Sequence, residues 1–288
     1  MSTENDGHLT RRDFSAITLA AAATSTSAAS AATPPAVTET DVQIKTADGI
    51  CDAFFAHPTQ GAHPAVLIWT DALGLRPAFR DMAKRLAGEG YAVLVPNPFY
   101  RSAKAPVFDS SFSFQNPADM AKLGPLMAAI TPDAAVRDAT TFVGFLDAQA
   151  AVNKKAKMGT TGYCMGGPLT MRTASSLPNR VGAAGSFHGG GLVTDKPESP
   201  HLLIPKMKAR YLVAIASNDD TRQPDAKDVL KAKFAEAKLS AEIEVYQGAM
   251  HGWCMPDAPA QNGVPLYNKD QAERAWGRLL GMFKTALV

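Results

Sequence analysis

The sequence predicts an α/β fold, a mainly parallel sheet covered by helices on both faces, and three observations carry that expectation. Continuous apolar runs recur at 65–69, 91–95, 181–187 and 211–216, the signature of strands buried on both sides of a sheet. Between them lie longer stretches with helical spacing, and strands joined through crossover helices run parallel. The segment Thr160-Thr161-Gly162-Tyr163-Cys164-Met165-Gly166-Gly167-Pro168 then sets a cysteine at a strand-to-helix junction, with glycines on both sides. Open parallel sheets form their sites beyond the carboxyl ends of the strands. Cys164 stands at one such end.

The elements follow in order. Residues 41–45 and 50–56 read as two strands around the turn signal Ala47-Asp48-Gly49. The buried run 65–69 comes next, and residues 78–87 carry helical spacing through Phe79, Met82, Ala83 and Leu86 until Gly88 and Gly90 end it. After the strand 91–95, residues 96–117 form a long loop rich in proline, serine and aromatics, and loops of that length in a compact domain are usually functional. Thr131 caps a helix with Pro132 at its first position, running to about residue 150. The run 157–161 leads to Cys164, and 169–176 is helical. Strands at 181–187 and 211–216, a helix at 225–238, a last strand at 243–246 and an amphipathic helix at 270–283 complete the chain.

Gly162-Tyr163-Cys164-Met165-Gly166 is the cysteine form of the G-x-S-x-G turn that exposes a nucleophile. Its central residue adopts strained backbone angles, so Gly162 and Gly166 stand where a Cβ would crowd the bend. The N-terminus of the next helix favours negative charge on the sulfur. The plainer reading is a small core cysteine in an ordinary turn, and residues later in the chain weigh against it. A cysteine nucleophile needs a base, and the base needs an acid to orient it. The expected chain order is nucleophile, acid, histidine, each after a strand.

Ser217-Asn218-Asp219-Asp220 follows the strand 211–216, and Gln247-Gly248-Ala249-Met250-His251-Gly252-Trp253 follows the strand that ends at Tyr246. Asp219 is the preferred acid and Asp220 the alternative, solvated one. Gly252 suits a tight loop that aims His251 inward; a satisfied loop histidine is the other reading. The backbone N–H groups of Met165 and Ala72 are the expected donors to an oxyanion. His188, in Phe187-His188-Gly189-Gly190-Gly191 at another strand end, lines the pocket or is a buried structural histidine. This scheme requires no metal or organic cofactor.

Taken together, the Gly162–Gly167 motif, the Ala216-Ser217-Asn218-Asp219 acid loop and the late His251-Gly252-Trp253 resemble the dienelactone hydrolase family, cysteine members of the α/β-hydrolase fold. The likeness runs from about residue 40 to the C-terminus. It includes Gly90-Tyr91-Ala92-Val93-Leu94-Val95-Pro96 and Ala272-Glu273-Arg274-Ala275-Trp276. The resemblance implies a triad of Cys164, His251 and Asp219, and hydrolysis of an ester or enol-lactone through a thioester.

Two positions depart from the family pattern. Where the best-known members carry a glutamate after the third strand, this chain has Trp69-Thr70-Asp71, a carboxylate one methylene shorter. Where they carry an arginine for the substrate carboxylate beyond the histidine, this chain has Cys254-Met255-Pro256. Arg101 in the long loop is the expected substitute, with a surface charge as the alternative. A general carboxylesterase and a non-catalytic exported binding protein of the same fold stay open beside the lactonase reading.

The N-terminus reads as an address. Thr10-Arg11-Arg12-Asp13-Phe14, an alanine-rich run at 15–23 and the small-residue pattern Ala29-Ser30-Ala31 form a Tat-type export signal over residues 1–32. Residues 33–288 are then one domain, exported by the Tat machinery to the periplasm or beyond. The apolar run is too short for a stable membrane anchor. The composition, 46% apolar and 19% charged, allows a sizeable core. Lys and Arg number 29 against 27 acids, which gives no reason to expect nucleic acid as a partner. The expected partner is a small ester or lactone. Of three cysteines, Cys164 must stay reduced, leaving Cys51 and Cys254 paired or free.

Overall fold

The apolar runs become strands of one sheet in a computed structural model that describes residues 35–288; the expected export signal at 1–32 lies outside the described residues. Val37–Thr46 (β1) and Gly49–Pro58 (β2) form an antiparallel hairpin. Ala65–Trp69 (β3), Ala92–Pro96 (β4), Met158–Tyr163 (β5), Val181–Phe187 (β6), Arg210–Ala216 (β7) and Ala241–Tyr246 (β8) complete the sheet. The spatial order is β1-β2-β4-β3-β5-β6-β7-β8. β2 runs antiparallel to both its neighbours, and every other pairing is parallel.

The helices are Pro77–Gly88 (α1), Pro117–Ala128 (α2), Pro132–Asp147 (α3), Gly166–Ser176 (α4), Ser217–Arg222 (α5), Ala226–Glu236 (α6) and Lys269–Ala286 (α7). They cover the sheet on both faces because each central strand is apolar on both. In β3, Ala65, Leu67 and Trp69 join a core with Phe142 of α3, Met171 of α4 and Phe234 of α6. Val66 and Ile68 face the opposite core, with Phe79 and Leu86 of α1 and Leu279 and Phe283 of α7. The period-two alternation is thus present inside a run that contains no polar residue to reveal it.

Two helices escape the sequence periodicity. In α2 the Asn116 side chain accepts from the Ala118 N–H and Pro117 opens the helix, but Gly124 and Pro125 interrupt it and only Leu123 is buried. Such a helix has almost no apolar stripe to detect. The segment expected as a loop around Asp219 coils into α5, six residues long and too short to show a period. α3 begins at Thr131, whose side chain accepts from the Ala134 N–H, and ends at Asp147. Among the described residues no helix is long and apolar enough to cross a membrane.

The strand ends converge on one region. Trp69 leads to Asp71 and Ala72, Tyr163 to Cys164, Phe187 to His188, Ala216 to Asp219, and Tyr246 to His251.

Candidate active site

The site is built around the turn between β5 and α4. Cys164 has φ 52, the left-handed region that side chains avoid. The chain is held there from both sides: the Cys164 N–H donates to the Phe187 carbonyl at 3.1 Å, and the Cys164 carbonyl accepts from the Gly167 N–H at 3.0 Å. A Cβ at Gly162 would overlap the Gly166 carbonyl, and one at Gly166 would overlap the Trp69 carbonyl. Both glycines are required by close backbone approach. The result is a cysteine raised above the sheet, with Met165 opening the following helix. The Met165 and Ala72 N–H groups take part in no protein hydrogen bond among the described residues, and Ala72 lines the cavity in front of the sulfur.

His251 and Asp219 meet beside it. His251 Nδ1 lies 2.6 Å from Asp219 Oδ2. The two loops are stitched together independently of that contact. Asn218 Oδ1 accepts from the His251 N–H at 2.8 Å, and Ser217 Oγ donates to the Tyr246 carbonyl while accepting from the Gly248 N–H. Asp220 points elsewhere and pairs with Lys227 at 2.7 Å. Gly252, at φ 97, lets the chain double back after the histidine. Burial works against charge on the His251 ring, but the hydrogen bond to Asp219 and the neighbouring Cys164 sulfur outweigh it, and its pKa is pushed up to about 10.

His188 lies behind this pair. It is 1% exposed, has φ 40, and its ring stands edge-on to His251 at 4.9 Å and to Trp253 at 5.1 Å. Burial and the His251 charge hold its pKa well below the usual value, so the ring is neutral. It lines the same cavity as Cys164 and His251, and neither ring nitrogen has a hydrogen-bond partner.

Of two expected substrate-side residues, Asp71 lies at the cavity and Arg101 does not. Asp71 lines the cavity, but its two carboxylate oxygens are engaged by Arg76 at 2.7 and 2.9 Å, with a further bond from the Leu73 N–H. A cation thus holds it at the cavity wall. Arg101 is not at the cavity at all. Its guanidinium binds Asp138 and Asp48, because the loop after Tyr100 folds back over α3, where the buried Asp138 needs a cation.

Arg76 itself gave no sequence signal. It bridges Asp71 and Asp257, which are far apart in the chain, and so ties the Ala72 loop to the loop that follows His251. Replacing Arg76 by Gln leaves the buried Asp71 carboxylate without a counter-charge. It should lower stability by about 3–5 kcal/mol. A urea-melt midpoint equal to that of the unaltered protein would contradict this.

The cavity in front of Cys164 has a volume of about 340 Å³. The long loop supplies one wall through Ser113, Phe114 and Gln115, and the segment beyond His251 supplies another through Ala258–Gln261 and Leu266. Gln115 Nε2 donates to Asn262 Oδ1 at 2.8 Å and closes the two walls together. A second cavity of about 440 Å³ lies beside α4 and shares Cys164, but no other lining residue, with the first. All three cysteines are free. Burial pushes the Cys51 and Cys254 thiols upward, and Cys254 lines a separate cavity with Tyr163 and Trp276.

An eight-stranded sheet in this order, with one antiparallel strand and a nucleophile turn after β5, defines an α/β-hydrolase. Residues 51–287 match the model of the dienelactone hydrolase family, and the chain belongs to that family. It is a hydrolase acting on ester or lactone bonds. Among curated proteins it is 24% identical over 241 residues to a protein of Escherichia coli strain K12 named "Putative carboxymethylenebutenolidase", covering 81% of each chain. It is 27% identical over 241 residues to a Synechocystis protein of the same name, covering 81% of this chain and 91% of the relative. Among solved structures it superposes on one titled "Putative Dienelactone Hydrolase" from Klebsiella pneumoniae with a TM-score of 0.72 at 21% identity. That match covers 86% of this chain and 99% of the other, and shares the fold.

Proposed function

We propose that the chain hydrolyses its ester or lactone through a thioester on Cys164, with His251 as the proton carrier and Asp219 as its orienting acid. The observation that carries this reading is the 2.6 Å contact between Asp219 and His251, which lines the same cavity as Cys164. His251 takes the thiol proton, and the thiolate adds to the carbonyl carbon. The unpaired N–H groups of Met165 and Ala72 receive the oxyanion. Collapse of the adduct breaks the carbon–oxygen bond, and the imidazolium returns its proton to the leaving alkoxide. Water, deprotonated by His251, then splits the thioester, releasing the acid and restoring the thiol.

The names carried by the relatives support a lactone as one substrate class. The Arg11-Arg12 motif supports export through the Tat machinery to the periplasm, where Cys164 would operate as a free thiol. The mechanism is tested by incubating the enzyme with a slowly turned-over aryl ester and digesting it under acid. The Cys164 peptide should gain the mass of the acyl group. An enzyme that turns the ester over while this peptide keeps its mass would exclude the thioester route.

The raised pKa of His251 also makes a statement about stability. Its folded value, about 10, lies above the ordinary 6.5, so its contribution is complete below about pH 6.5 and is lost as the pH rises through about 10. Relative to a His251→Gln variant, the protein should lose more than about 1 kcal/mol of stability between pH 7 and 10. Parallel stability profiles for the two proteins would count against the Asp219–His251 coupling.

A further inference from the structure

Cys164 lines two cavities, and they differ in chemistry. The cavity on the His251 side carries Ala72, His188 and the aromatic Phe114. The second cavity follows one stripe of α4, Met165, Pro168, Leu169 and Arg172, spaced so that they share a helix face. Lys196 and Glu198, both exposed, line the same cavity. Arg172 is set apart from the other arginines. Among the described residues every other arginine except Arg210 has a carboxylate within ion-pair distance, and Arg210 lines a cavity remote from Cys164. Arg172 has only one hydrogen bond, from Nη2 to the Glu198 backbone carbonyl at 2.8 Å. It is half-buried, and burial pulls its pKa below the ordinary value in spite of the more distant Glu198 and Asp133 charges. A desolvated guanidinium with most of its N–H groups unspent is a receptor for an anion, and its planar fork suits a carboxylate.

The tetrahedral adduct decides which part of a substrate enters which cavity. Its oxygen points to the Met165 and Ala72 N–H groups, and its leaving oxygen must reach His251 to receive a proton. His251 lines the first cavity and not the second. The alcohol arm therefore occupies the first cavity and the acyl arm runs along α4. Seven residues separate Met165 from Arg172, about 10 Å along the helix axis, and the arginine side chain leans back toward the helix start. Building on the thioester mechanism above, we infer that Arg172 binds an anionic group at the far end of the acyl arm, so that half-esters of short dicarboxylic acids are preferred substrates. Hydrolysis breaks the ester carbon–oxygen bond, adds water across it, and releases an alcohol and a dicarboxylate.

The test uses two 4-nitrophenyl esters that share a leaving group. One is the glutarate half-ester, and the other is the 5-methylhexanoate, whose terminal isopropyl group has the shape of a carboxylate without its charge. The full chain should favour the glutarate ester in kcat/KM by about tenfold to a hundredfold, as expected for a charge-assisted contact. Arg172→Gln should bring the ratio of the two esters to about one, and Arg172→Lys should retain part of it. Because the ratio is taken within each variant, a general loss of active protein does not imitate the result. Equal rates for both esters in the unaltered enzyme would overturn the inference and leave the thioester mechanism standing. So would a preference that survives in both Arg172 variants, which would put the anion receptor elsewhere. Failure to turn over either ester, with no acylation of Cys164, would instead remove the mechanism on which the inference rests.

Discussion

Replacing Cys164 by alanine is expected to lower kcat/KM toward simple aryl esters by about 10⁴-fold or more. Among the described residues Cys164 is the only side chain shared by the two cavities, and it alone stands on the strained turn beside His251. Asp71 is bound to Arg76, and the buried His188 ring carries neither nitrogen at the surface. The substitution removes little else. Alanine is small, and it meets the same backbone conformation, φ 52, that cysteine already tolerates. The folded state should therefore persist, with a thermal midpoint and far-ultraviolet circular dichroism close to those of the parent. Activity lost with the fold intact would assign the chemistry to Cys164. Undiminished turnover would defeat the scheme.

The second large effect is structural. Gly162→Ala should cost more than about 4 kcal/mol, a size reached only when backbone or core geometry is forced apart. The added Cβ would overlap the backbone of Gly166 and meet the Thr170 methyl at 2.9 Å. Neither can withdraw cheaply. Gly162 is paired to Trp69 of β3 and Ser186 of β6 on its two sides, and Gly166 is pressed against the Trp69 carbonyl. Gly144→Ala supplies the contrast. That glycine lies on the exposed side of α3 with nothing within 4 Å of its ideal Cβ, and alanine there should be neutral or stabilising by about 0.5–1 kcal/mol. Urea melts of the two variants should separate clearly. Equal midpoints would mean that the β5–α4 turn relaxes around a methyl group.

The strands and the turn were legible in the sequence because their causes are local. A run such as Ala65–Trp69 has no polar residue to place in solvent, so both of its faces must be covered. The two glycines of the turn are needed by backbone atoms a few residues away. The chain order of Cys164, Asp219 and His251 could likewise be anticipated from strand ends, and the structure places Asp219, not Asp220, against the imidazole. Ion pairing was not legible. Arg101 and Asp71 were natural candidates for the substrate by position, yet each is held by opposite charges that only the folded chain brings near. Arg76 reaches Asp257, 181 residues away, and nothing in the spacing announces it. The α2 helix escaped for a different reason, since a segment with one buried side chain leaves no periodic trace.

The sheet, the strained turn at Cys164 and the family to which they belong follow from residues close together in the chain, because burial pattern and steric room are properties of neighbours. Which charges are spent and which are free depends instead on contacts between distant segments. A guanidinium is a structural tie or a substrate receptor according to whether a carboxylate faces it, and that is set by packing between distant segments. It left Arg101 committed beneath the long loop and Arg172 open beside the sulfur.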